Sequence, residues 1–325
     1  MSDLMTRRTF LGATLAVGVA GTAGYFALRR RSQRELRVFV YAGGHERTMR
    51  ETFVPRFEAE TGVAVSLYPG WWDGIARLKA APANDPPFDL VISDATQGYP
   101  AVREGLFAQL NLDNIPNHRR LVPAALDNAV FRDRYGITYP DSVMTLAYHK
   151  TRAQREPTRW ADLVGPDLSG RIGLYNSFYM SLYTFACIKA DLDGRAGTAQ
   201  ELIRNDLDGV LRFARENRER VRLWWPTSTD MINGLAQGEC AAGNMHSPEY
   251  LVALRENNEL GAVVPTTDRA FVQVFWSIPA GSPNQELAER AINLIFSDDL
   301  QREFVLRGSA TAVPAVAERM AAEDP

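Results

Sequence analysis

The chain has 325 residues, 46% of them apolar and 23% charged, a globular balance with enough length for two lobes rather than one core. The formal net charge is −3, but the first 31 residues carry five arginines against one aspartate, so the rest of the chain holds 31 basic and 38 acidic residues. A phosphate-backbone binder needs a basic face, so an acidic body speaks against nucleic acid as a partner, and two cysteines 53 residues apart make neither a disulfide scaffold nor a metal-ligand spacing.

Thr6-Arg7-Arg8-Thr9-Phe10-Leu11 stands near the start, and Phe10 to Leu28 is a 19-residue stretch without a charge. A twin arginine ahead of an apolar run resembles a twin-arginine (Tat) export signal, with Gly12 where lysine is often found. The resemblance implies export to the periplasm with the Tat translocase as a transient partner. The same run is also long enough to span a bilayer, which takes ~17–25 residues, so residues 1–34 read as a signal or as an uncleaved anchor. Gly18-Val19-Ala20 and Gly21-Thr22-Ala23 offer small residues for cleavage, though inside the apolar run.

From residue 36, short apolar runs alternate with helical stretches, the pattern of an α/β protein. Leu36 to Tyr41 is a β-branched and aromatic strand that ends in the turn Ala42-Gly43-Gly44. Met49, Phe53 and Phe57 share one face of a helix from His45 to Glu60, and Gly62 ends it. Val63–Tyr68 is a second strand, followed by the loop Pro69-Gly70-Trp71-Trp72 and a short helix to Ala81. Phe88 to Ser93 is a third strand, apolar enough to be buried on both faces.

The alternation then changes. Tyr135–Tyr139 and Met144–His149 read as two extended segments joined through Pro140-Asp141-Ser142. A second α/β region follows, with strands at Arg171–Tyr175, Arg222–Trp225 and Cys240–Asn244. Its helices are predicted at Phe178–Ala190, Ala199–Arg220, Thr229–Gln237 and Pro248–Glu256. Phe271–Pro279 is again extended. Ser282-Pro283-Asn284-Gln285 has the form of a capping box that opens a helix, and Ser297 caps a last one to Arg307.

Several strings point one way. Trp160-Ala161-Asp162-Leu163, then Pro166-Asp167-Leu168-Ser169-Gly170-Arg171-Ile172, resembles the "W-x-D-L … P-x-L-x-G-K-I" segment of extracellular solute-binding proteins of ABC importers. Phe57 to Val63, Gly238-Glu239, Ile278-Pro279-Ala280 and Ala291 to Phe296 continue the likeness, as do Gln301, Gly308 and Pro314. The spermidine/putrescine-binding branch is the most similar. The resemblance implies a type II periplasmic-binding-protein fold, with two α/β lobes joined by crossover hinge strands and the ligand between them. It implies a monomer without a cofactor that hands its solute to the transmembrane subunits of a permease. The expected lobes are residues 35–143 with 271–325, and residues 144–270.

Cleft candidates are the residues at strand ends: Tyr41, Gly43, Gly44, Trp71, Trp72, Ser93, Asp94, Tyr139, Asp141, Asn176, Ser177, Trp225, Thr227, Asn244, His246 and Trp276. Each has a plainer role open to it. Asp94 could cap the next helix, Asp141 could serve a turn, and His246 could be a polar neighbour. Trp224 and Trp225 alternate across a strand, and Trp225, nearer its end, is the one expected in the cleft with Trp224 in the core.

Polyamine-binding members hold ammonium groups with carboxylates at positions that here read Ser177, Met180 and Val274, none acidic. Asp94, Asp141 or Asp230 could substitute, and the aromatic residues suit a cation. Hydroxyls at Tyr175-Asn176-Ser177 and Thr227-Ser228-Thr229 suit an anion instead. The solute is expected to be a small organic molecule, an organic cation before an anion or zwitterion, and no metal site is expected. A solute sensor is the second functional reading and an exported enzyme the third. For the latter the chain offers no H-E-x-x-H, G-x-S-x-G, C-x-x-C or P-loop string.

Overall fold

The computed structural model describes residues 35–323 apart from Trp72 and Ala270. The export segment expected at residues 1–34 lies outside the described residues. Nine strands are described: β1 (Glu35–Tyr41), β2 (Ala64–Gly70), β3 (Leu90–Asp94), β4 (Ile137–His149), β5 (Ile172–Tyr175), β6 (Val221–Trp225), β7 (Ala242–His246), β8 (Leu260–Val263) and β9 (Phe271–Ser277). They run in the order β2-β1-β3-β9-β4-β7-β5-β6, with β8 paired to β4. In the first lobe β1 lies parallel between β2 and β3, and β9 returns antiparallel beside β3. In the second, β5 pairs in parallel with β6 and β7, and β4 runs antiparallel to β7 and β8.

Two separate apolar cores explain the two lobes. One gathers Phe39, Phe53 and Phe57 with Ile292, Ile295 and Phe296, so the helix Gln285–Ile295 packs with the N-terminal strands. The other gathers Trp160, Leu174, Phe185, Trp225 and Tyr250. Each fully buried side chain of this size contributes about 1.5–3 kcal/mol to the lobe it fills. Among the described residues β4 and β9 pair from Ile137 opposite Trp276 to Val143 opposite Phe271, and β4 then runs on to pair with β7 and β8 of the second lobe.

A buried ion pair fastens the first lobe. Asp89 is fully buried and accepts from Arg37 N at 2.9 Å, Nε at 3.1 Å and Nη2 at 3.1 Å. The Ser282 hydroxyl donates to the same carboxylate at 2.8 Å. This corrects the expected capping box. Ser282 turns toward Asp89, and the helix starts at Gln285 after Asn284 without a side-chain cap.

Other differences have local causes. The helix expected over His45–Glu60 is three pieces, Gly44–Thr48, a π-helical turn Met49–Phe53, and Val54–Thr61. Pro55 has no N–H and its ring crowds the carbonyl four residues earlier, a misfit that a widened turn absorbs. The helix expected over Ala199–Arg220 breaks at Asp206, whose side chain accepts from Gly209 N and starts a new helix, Leu207–Asn217. The two segments flanking Pro140-Asp141-Ser142 are one strand, β4, with a register shift between Pro140 and Ser142. A bulge lets a strand carry a proline, which cannot donate to the ladder. Cys187 and Cys240 are free, buried thiols. Burial pushes both up, Cys240 to about 12, which leaves them unreactive.

Candidate functional site

The ends of β1 and β3 build one wall. Gly43 takes φ +90°, a conformation open to glycine, and turns the chain out of β1 into the helix Gly44–Thr48. Tyr41 closes β1 and stacks on Trp71, with ring centroids 5.8 Å apart. Trp71 is 51% exposed, and Asp73 Oδ1 holds its backbone N–H at 2.9 Å. The His45 ring lies 5.8 Å from Tyr41 and 5.9 Å from Trp276, which is fully buried. Ser93 is buried, and Asp94 caps the helix Ala95–Arg103 by accepting from Thr96 N and Gln97 N.

The facing wall comes from β5, β6 and β7. Tyr175 stacks on Trp225 at 4.3 Å and meets His246 edge-on at 5.4 Å. Asn244 is fully buried. It accepts from Tyr175 N at 2.9 Å and donates to Thr184 Oγ1 at 2.9 Å, so it fixes the end of β5 rather than facing a ligand. Thr227 caps the helix Ser228–Gln237 in a reciprocal box with Asp230. Tyr175, Asn176, Ser177, Phe178 and Pro226 line an open cavity of about 420 Å³. Phe178 at its rim is 76% exposed.

The structure reverses the tryptophan pair. Trp225 is 1% exposed beneath Tyr175, and Trp224 is 42% exposed rather than core. The strand carries its last side chain inward to fill the lobe, and Tyr175 lies over it and lines the open cavity. Trp72 and the side chains of Tyr139 and Asp141 lie outside the described residues.

Between the walls stands a carboxylate that sequence reasoning missed. Glu249 lies in the first turn of the helix Ser247–Glu256. A Cβ on Gly44 of the opposite lobe would lie 3.7 Å from its Oε1. Ser247-Pro248-Glu249 reads as an ordinary helix start, favoured by proline geometry and the helix dipole, and carries no signal that the turn faces Gly44. Burial raises the Glu249 carboxyl, against the lowering effect of its own backbone N–H and the Ser228 hydroxyl. Burial also raises Tyr175, with the charges of Asp94 and Glu249 adding to it.

His45 and His246 keep part of their surface accessible, yet the surrounding protein pushes both down to about 4. Neutral imidazoles favour the fold fully above pH ~6.5, and that contribution is lost as pH falls toward about 4. Urea unfolding at pH 7 and pH 4.5 should therefore differ. The double variant His45→Asn, His246→Gln should remove about 1 kcal/mol per histidine of that difference, discounted for solvent exposure. An equally steep loss in the double variant would place the acid sensitivity elsewhere.

The sequence pattern of the bacterial extracellular solute-binding protein family matches residues 52–325. The chain is 24% identical over 285 residues to a gamma-aminobutyric acid-binding protein of Pseudomonas aeruginosa, covering 86% of this chain and 77% of that one. An ABC transporter substrate-binding protein of Bradyrhizobium japonicum superposes with a TM-score of 0.74 at 18% identity, over 88% of this chain and 85% of that one. A spermidine/putrescine ABC transporter substrate-binding protein of Streptococcus pneumoniae gives 0.69 at 18% identity, over the same shares, 88% and 85%. These two structures share the two-lobe architecture.

Proposed function

The chain belongs to the bacterial extracellular solute-binding protein family, and from that premise we propose that it captures a small organic cation between its lobes and delivers it to the permease of an ABC importer. The observation that carries the cation is the composition of the facing walls. Tyr41, Trp71, Tyr175 and Phe178 present aromatic surface, Asp94 and Glu249 are the carboxyl groups of the two walls, and burial pushes both nearby histidines down to about 4. A cation gains on an aromatic face and beside a carboxylate, whereas an anion there would meet like charge. The names of the relatives agree in one respect: gamma-aminobutyric acid, spermidine and putrescine all carry an ammonium group.

The family places the protein outside the cytoplasm. The twin arginine at Arg7-Arg8 supports the Tat route, and we take residues 35–143 with 271–325 as one lobe and 144–270 as the other, in a monomer.

A thermal-shift panel tests the reading, since a ligand bound only by the folded state raises its melting temperature. Organic amines should shift it upward and matched carboxylates should not. In Trp71→Ala, affinity for an active amine should fall about tenfold, roughly 1.4 kcal/mol, with little change in the unliganded melting temperature because the ring is 51% exposed. Shifts from carboxylates alone would overturn the proposal.

A further inference from the structure

The lobes meet at a second place beside the crossover strands. The helix Ser247–Glu256 belongs to the second core through Tyr250 and Ala253. The helix Asp298–Leu306 belongs to the first through Leu300 and Phe304. Successive residues at the start of the former each touch something different. Ser247 Oγ accepts from Val143 N of β4 at 3.1 Å. The Pro248 carbonyl oxygen lies 2.5 Å from where a Cβ on Gly308 would sit, so backbone meets backbone across the seam. Glu249 Oε1 lies 3.7 Å from the same position on Gly44. Gly308 has φ +93° and no side chain to keep Pro248 away.

The seam also carries a tie. The last carbonyls of a helix have no partner inside it. In the helix Asp298–Leu306, Phe304 O and Val305 O accept from the backbone of Arg307, Gly308 and Ser309. Leu306 O instead accepts from Arg255 Nη1 of the other lobe at 3.1 Å. A guanidinium suits the negative end of a helix. Arg255 stands seven residues beyond Pro248, about 10 Å further along a helix that runs back from the cleft end of β7. The cleft itself stands open, with Trp71 and Phe178 exposed on its facing walls. Enclosing a solute requires those walls to approach.

We infer that Pro248 and Gly308 form a pivot for lobe closure, and that the Arg255–Leu306 tie behind it holds the cleft open. The pivot has no room to compress, so walls that approach in front of it part the seam behind it and break the tie. Apparent affinity scales with the population able to close. Arg255, outside the cleft, therefore sets how tightly a solute is held. The inference goes beyond the cation reading and does not depend on which solute binds.

The test is double electron–electron resonance on the full chain without added solute. Spin labels are placed at Ala76→Cys and Asn233→Cys, exposed positions on the helices that follow Trp71 and Pro226. Cys187 and Cys240 are buried, so the labels go to the introduced thiols. Arg255→Met keeps the aliphatic stem and removes the donor, and it should raise the ratio of short to long distances about threefold. Gly308→Ala thickens the pivot and should lengthen the mean distance. Gly62→Ala is the control, because it bears a left-handed backbone at φ +67° but nothing lies within 4 Å of its Cβ position. It should leave the distribution unchanged. Arg255 is exposed, so its variant decides the tie even where Gly308→Ala folds poorly. An unchanged or lengthened distribution in Arg255→Met would overturn the inference. A shift in Gly308→Ala no larger than that in Gly62→Ala would overturn the pivot.

Discussion

Asp89→Ala is expected to lower the unfolding free energy by about 3 kcal/mol. Removing one partner of a buried ion pair typically costs ~3–5 kcal/mol because the other charge is left without compensation. The lower end applies because 23% of the Arg37 side chain is exposed and can recover some hydration. The loss also frees Arg37 N and the Ser282 hydroxyl, which ties the return loop after β9 to the start of β3. Urea unfolding should show a lower midpoint with an unchanged slope. Asp89→Asn, which keeps an acceptor for the backbone N–H, should cost less. A loss below about 1 kcal/mol for Asp89→Ala would mean that the carboxylate contributes little to joining these segments.

Trp225→Ala should cost about 3–5 kcal/mol, the range for emptying a buried aromatic site. Trp225 is 1% exposed, and its ring supports Tyr175 at 4.3 Å. Solute affinity should also fall, because Tyr175 loses the surface that fixes its orientation. Tyr175→Ala should separate the two effects. Tyr175 is half-buried, so affinity should drop about tenfold while stability changes far less. Near-normal stability in Trp225→Ala combined with lost binding would place Trp225 in direct contact with the solute.

The legible parts of the fold were those where one local signal dominates. The apolar runs of β1 and β3 and the alternation around them mark the first lobe, and the left-handed Gly62 ends its helix at the expected place. The short strand β8 went unrecognised because Leu260-Gly261-Ala262-Val263 is brief and carries a glycine, and its pairing with β4 is a tertiary choice. The helix Pro314–Glu323 was missed as well, since it buries little beyond Val316. Ser282 shows the same limit in the loops. A capping box and a hydroxyl turned toward a buried carboxylate look alike until Asp89 is brought within reach.

Within the site, local signals placed the walls but not the direction of each side chain. Tyr41, Gly43 and Gly44 stand at the strand end and turn that their residue types mark, and Trp71 follows the end of β2. The choice between Trp224 and Trp225 depends on which face of β6 the second lobe covers, and alternation alone leaves that open. Asn244 and Thr227 stand at the expected strand ends, but their polar groups secure the scaffold. Glu249 carries no local signal because what sets it apart is its contact with the Gly44 position, more than two hundred positions away in the chain and brought close by the meeting of the lobes.

The most direct test of a cation-capturing cleft is mass spectrometry of the small molecule released when protein isolated from its native host is denatured. The account predicts an organic amine that is positively charged at pH 7. Release of a carboxylate or phosphonate without an amine, or of a metal complex, would contradict it.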